Sequence, residues 1–157
     1  RNTILVYDGV IRNLVIGMEK NRWADIEGEL VISGLERDIN KNKVYSYGYQ
    51  FNELMNNYNV KYWNAISGRL FVSGTNPDLR LPSLCRIMNG NMDTLKDGVE
   101  GINVIKAKGG YFLIYVWDKN KDSQFYNKKV LYIFNELTGK FTVMKVNTEI
   151  GNMIYIQ

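Results

Sequence analysis

Histidine is absent from the 157 residues. With it go the commonest general base, the commonest zinc ligand and the usual serine or cysteine triads. A single cysteine, Cys85, excludes an internal disulfide framework and any cysteine-based metal cluster. Its place between Leu84 and Ile87 in a predicted strand reads as a small buried apolar residue. Long hydrophobic runs are also missing: the longest, around 111–117, falls well short of the roughly 18 residues that span a bilayer, and no secretory segment is visible. No stretch carries a convincing amphipathic helix, and residues 52–57 offer one turn at most. Gly109-Gly110 enters a strand, where a phosphate cradle would need a helix N-terminus.

What the chain has is a phrase used twice. Residues 23–34 read W-A-D-I-E-G-E-L-V-I-S-G, and residues 63–74 read W-N-A-I-S-G-R-L-F-V-S-G. Reduced to a skeleton, the phrase is a glycine, a large apolar residue five positions before it, and apolar residues two and four after it. Trp23, Gly28 and Leu30 supply the first copy, and Trp63, Gly68 and Leu70 the second. The skeleton recurs more loosely at Gly110 with Phe112 and at Gly151 with Met153, so that successive glycines stand 40, 42 and 41 positions apart. Equal spacing near 40 marks units whose apolar faces only their neighbours can cover. Trp23 and Trp63 therefore read as packing residues between units, in preference to platforms for a ligand.

Between the anchors the hydrophobic period is two, in short segments rich in Val, Ile, Tyr and Phe. Turn signals stand at Asp8-Gly9, Ser33-Gly34, Asn76-Pro77-Asp78, Asn89-Gly90 and Thr138-Gly139. One unit shows four strands in order, at 102–108, 110–117, 129–135 and 140–146. The preceding one has 60–67, 69–75, 84–89 and a poor fourth near 92–95, and the one before that has 21–27, 29–34, 43–49 and a doubtful stretch at 52–55. Upstream, 3–8 and 13–18 look like the last two strands of a unit, and 151–157 like the second strand of another. Four antiparallel strands per 40 to 45 residues is a propeller blade. The expected fold is thus all-β and propeller-like, about four blades within a single domain 1–157, with units at about 1–20, 21–59, 60–101, 102–146 and 147–157. The ends can combine into one composite blade and close a four-bladed ring, or the chain is an arc of a larger propeller. Arg1 is no translational start, so the chain reads as an excerpt of, or an insertion in, a longer protein.

The net charge of +4 is mild, and the loops joining second and third strands carry most of it. Residues 35–43 sum to +1, 75–83 to zero and 118–129 to +2. Arg37, Lys41, Lys43, Arg80, Lys119, Lys121, Lys128 and Lys129 are the candidate interaction residues, on a rim suited to an anionic or glycan surface. The run Asp118-Lys119-Asn120-Lys121-Asp122-Ser123 resembles the start of a calcium loop, echoed at Asp38, Asn40 and Asn42. Ser123 replaces the turn glycine, however, and Tyr126 and Lys129 at the ninth and twelfth positions cannot close a coordination shell. Paired carboxylates for hydrolysis would have to come from scattered positions such as Asp25, Glu27, Asp97 and Glu100, and the S-x-D-x-G-x-x-W box of sialidases does not occur. No catalytic residue, metal site or cofactor is expected.

The run W-N-A-I-S-G-R-L-F-V-S-G-T-N-P-D at 63–78, with L-Y-I-F-N-E-L-T-G-K-F-T-V at 131–143, resembles the propeller repeats of tail-nozzle and tail-muzzle proteins of short-tailed bacteriophages. That resemblance implies a non-enzymatic part of a virion tail that contacts other protein subunits, without membrane insertion. A second expectation is a glycan-binding, lectin-like propeller for surface attachment, using loop aromatics and the basic rim.

Overall fold

Every secondary-structure element described by the computed structural model is a β-strand. The structure describes residues 3–7, 11–16, 18–26, 29–36, 38–47, 51–55, 58–76, 80–89 and 91–146. Gly28, Arg37, Gly151 and Met153 lie outside these residues, as do the turns expected at 8–9 and 77–78 and the strand expected at 151–157. The chain divides into two compact units, Arg1–Val60 and Lys61–Gln157.

The first unit opens with an antiparallel hairpin of β1 (Thr3–Tyr7) and β2 (Ile11–Ile16). A four-stranded antiparallel meander follows, in the order β3 (Met18–Ile26), β4 (Glu29–Glu36), β5 (Lys41–Tyr47) and β6 (Phe51–Leu54). Successive residues of a strand face opposite sides of the sheet, yet Val31 and Ile32 are both buried, which is why β4 reads as a continuous apolar run. Residues 52–54 of the stretch that offered one helical turn instead belong to β6, a strand paired to β5 through Val44 to Tyr47, and 56–57 lie outside the described residues. Lys43 lies in β5 and not in a loop. It is only 5% exposed and forms an ion pair with Glu53 of β6.

The second unit holds two such meanders. The first consists of β7 (Asn59–Ile66), β8 (Arg69–Thr75), β9 (Pro82–Met88) and β10 (Asn91–Asp97). The second consists of β11 (Val99–Lys106), β12 (Tyr111–Asp118), β13 (Lys129–Asn135) and β14 (Lys140–Val146). The architecture is all-β, and among the described residues it comprises three separate four-stranded sheets and a hairpin, none of them closed on itself. Gly68 and Gly110, with φ of 71° and 81°, sit in the β7–β8 and β11–β12 turns, where a left-handed residue matches the twist of the strands.

The core of this unit lies between its two sheets. Phe112, Ile114 and Val116 alternate onto one face of β12 and pair in register with Phe134, Tyr132 and Val130 of β13. Phe71 and Leu84 of the other sheet close over them, with the Phe71 and Phe112 rings 5.1 Å apart and tilted by 57°. A bulge at 101–103 in β11 leaves Ile102 partly exposed and brings Gly101 against the neighbouring sheet. There the Gly101 N–H donates to Ser73 Oγ at 2.9 Å, and a Cβ on Gly101 would stand 2.9 Å from the Tyr62 ring.

Strand pairing corrects the expectation of a turn at Ser33-Gly34. Ser33-Gly34 and its counterpart Ser73-Gly74 continue β4 and β8, paired to Val44-Lys43 and Leu84-Ser83. At Ser73 the small residue admits a neighbouring backbone instead of reversing the chain. The weak fourth strand near 92–95 is a full one, β10, although its two faces are largely exposed. Both β10 and β14 are edge strands, and Lys96, Lys140 and Lys145 on them are the charges that discourage further strand pairing.

Candidate binding cleft

The connection from β8 to β9 and the longer one from β12 to β13 emerge at the same end of the second unit. The longer loop, residues 119–128, is closed at its base like a short hairpin: Asp118 N–H donates to the Lys128 carbonyl, and Asn127 N–H returns to the Asp118 carbonyl, both at 2.9 Å. Inside the loop, the buried Asp118 carboxylate accepts from Asn120 N–H at 2.9 Å and from Ser123 Oγ at 2.7 Å. Asn120 Oδ1 accepts in turn from Asp122 N–H at 3.0 Å, and Ser123 Oγ from Phe125 N–H at 3.1 Å. Short polar side chains satisfying nearby backbone N–H groups are what stiffen such loops. The Phe125 ring packs against the core and anchors the tip.

This geometry explains why the calcium-like run is a turn. The oxygens of Asp118 and Asn120 are aimed at backbone and hydroxyl donors of their own loop, not at a common point. Among the described residues, no group of three His, Cys, Asp or Glu side chains is placed to hold a metal ion.

Gly98, between β10 and β11, ties the loop to the neighbouring sheet. Its N–H donates to the Pro82 carbonyl at 2.8 Å, and its carbonyl accepts from Lys119 N–H at 2.7 Å. Its φ is +72°, and a Cβ there would fall 2.6 Å from Asn120 Cβ. Gly98→Ala is expected to lower the unfolding free energy by about 2 kcal/mol, combining left-handed strain with overpacking. Urea titration checks this, and a variant as stable as the parent would show that the loop gives way without cost.

Between the two connections lies an open cleft of about 650 Å³. The β8–β9 connection contributes Arg80 and Leu81, and the 119–128 loop contributes Lys119, Lys121, Asp122 and Tyr126. Glu100 of β11 completes the polar lining. Two lining residues, Arg80 and Asn127, hold left-handed φ values of 55° and 58° without being glycine. The Lys119 ammonium stands 3.2 Å from the centroid of the Trp117 ring, a cation–π contact.

Of the basic residues singled out from the sequence, Arg80, Lys119 and Lys121 come together in this cleft. Lys128 and Lys129 are exposed beside it, at the end of the loop and the start of β13. Lys41 and Lys43 belong to β5 of the first unit, where Lys43 is consumed by its ion pair. Among the repeat anchors, Leu70 and Phe112 are buried and Leu30 is half-buried. Trp23 and Trp63 differ sharply, at 74% and 5% exposure. Tyr126 and Asp122 were not singled out as interaction residues; the Phe125-Tyr126 pair in an otherwise polar stretch was the available signal, with Phe125 turned to the core and Tyr126 exposed.

The opposite end of the unit carries an ion-pair network. Glu136, in the β13–β14 turn, accepts from Arg69 Nε at 2.8 Å and Nη2 at 2.9 Å, and from Arg86 Nη1 at 3.2 Å. Arg86 Nη2 also reaches Asp93 Oδ2 at 2.9 Å. This locks one sheet to the other at the end away from the cleft.

Comparison with known protein families, characterised proteins and solved structures gives no match.

Proposed function

We propose that the chain is a non-catalytic structural and protein-interaction module, built on β-propeller blades and belonging to a phage tail. Each four-stranded meander is one blade on this reading, and the β1–β2 hairpin is the outer half of another. The ring is either closed with four blades or continued by further blades of a longer chain. The observation that carries the proposal is the pair of meanders in the second unit, stacked through one apolar core, locked by Glu136 at one end and presenting two connections at the other. A scaffold of packed sheets that presents loops at one end is suited to contacting other subunits.

Three of the acidic groups point the same way. Asp118 holds its own loop, Glu136 is clasped by two arginines, and Asp97 accepts from Ser83 Oγ at 2.6 Å. Side chains committed to such pairs serve structure. Assignment to a virion rests on the resemblance at 63–78 and 131–143, and the step from fold to role is analogy. Antibodies raised against the chain test it directly: gold label on the tails of intact particles is the expected result, and purified particles free of the chain's peptides would overturn it.

A further inference from the structure

We propose that the cleft between the β8–β9 and β12–β13 connections binds an acidic saccharide, a sugar unit carrying a carboxylate. Its volume, about 650 Å³, falls within the roughly 300–1,000 Å³ of small-molecule sites. Three kinds of group converge there, and a charged sugar uses all three. The ring of Tyr126, 45% exposed, and the neighbouring exposed Leu81 offer an apolar surface for the C–H face of a pyranose. Glu100 and Asp122 can accept hydrogen bonds from sugar hydroxyls, and the Asn127 amide can donate or accept. Arg80 presents a planar guanidinium, suited to a bidentate grip on a carboxylate, and Lys119 and Lys121 add positive charge.

The mixture of charges separates this ligand from a nucleic acid strand. Three cations and two carboxylates line the cleft, so a phosphate backbone would meet Glu100 and Asp122 unfavourably, whereas a sugar makes use of them. The 119–128 side of the site is also built before the ligand arrives. The loop is tied by Asp118 and Phe125, so little ordering cost opposes binding, and the left-handed backbone at Arg80 and Asn127 is the local strain often stored at binding sites. None of this depends on the chain belonging to a virion.

An array of neutral, uronic-acid and sialylated glycans probed with the whole chain is the first test, with a single-stranded DNA oligonucleotide as competitor. Saturable binding confined to carboxylate-bearing glycans, and lost on methyl esterification of the carboxylate, is expected. Tyr126→Ala and Arg80→Gln, both at exposed positions, should each weaken that binding roughly tenfold while leaving the melting temperature unchanged. Lys140→Gln, on the β14 edge, should leave affinity as it is. The proposal is overturned if no carboxylate-bearing glycan binds saturably, if neutral glycans bind equally well, if the oligonucleotide displaces them in preference, or if both cleft variants bind like the parent.

Discussion

Phe112→Ala is expected to destabilise the second unit by about 3–5 kcal/mol, the largest effect of any single truncation considered for this chain. The ring is almost fully buried, faces Phe71 of the other sheet at 5.1 Å, and pairs in register with Phe134 of β13. Truncation removes buried apolar area and leaves a cavity at the seam between two sheets. The backbone cannot collapse to fill it, because β12 is hydrogen-bonded on both sides, to β11 and β13. Phe112→Leu, which keeps most of the volume, should cost distinctly less. Denaturant unfolding of the three proteins measures the series; equal stability of parent and alanine variant would mean that this seam is not the core of the unit.

Glu136→Gln is the second large effect, a loss of about 2–3 kcal/mol at neutral pH, since Arg69 is partly exposed and Arg86 keeps Asp93. The substitution keeps the shape of the side chain and removes its charge, leaving Arg69 and Arg86 facing an amide in a largely buried position. The pH dependence supplies an independent reading. Hydrogen bonding from the Arg69 guanidinium is the main cause that holds the Glu136 carboxyl below its ordinary value of 4.5; burial opposes it, and the charges of both arginines reinforce it. With the pKa lower folded than unfolded, the unfolded chain binds the proton more readily. The contribution of Glu136 is therefore fully present above about 4.5 and is lost as pH falls through the folded-state value. Stability of the parent should fall more steeply than that of Glu136→Gln on acidification below that point. Parallel acid limbs would show that the carboxylate contributes nothing specific.

Glu136 had no signature in the sequence. It stands in a polar turn, N-E-L-T-G, and its partners lie 67 and 50 positions away, so nothing local distinguishes it from a solvated hairpin residue. The neighbouring strands were legible for the opposite reason. β8, β13 and β14 fall on the stretches read as strands, 69–75, 129–135 and 140–146: β13 alternates as a half-covered pleat does, and β8 is a short apolar run covered on both faces, and neither pattern needs knowledge of the partner. β10 was faint because an edge strand exposed on both faces has no apolar period to show. Its pairing with β9, from Asn91–Met88 to Asp97–Ser83, is what makes it a strand.

The cleft divides in the same way. Spacing placed Arg80, Lys119 and Lys121 on connections of the same kind, and hence on one rim. It could not bring Glu100 and Tyr126 beside them, since that depends on how β11 and the 119–128 loop meet across Gly98.

By itself, then, the sequence determined the all-β class, the order of strands and the turn at Thr138-Gly139, because side-chain alternation and left-handed φ are properties of a few consecutive residues. Tertiary structure alone decided which equivalent residues are covered. Trp23 and Trp63 hold the same place in the same phrase, yet one is 74% exposed and the other 5%. Burial is a property of what lies against a strand, and no residue encodes its neighbour across a sheet.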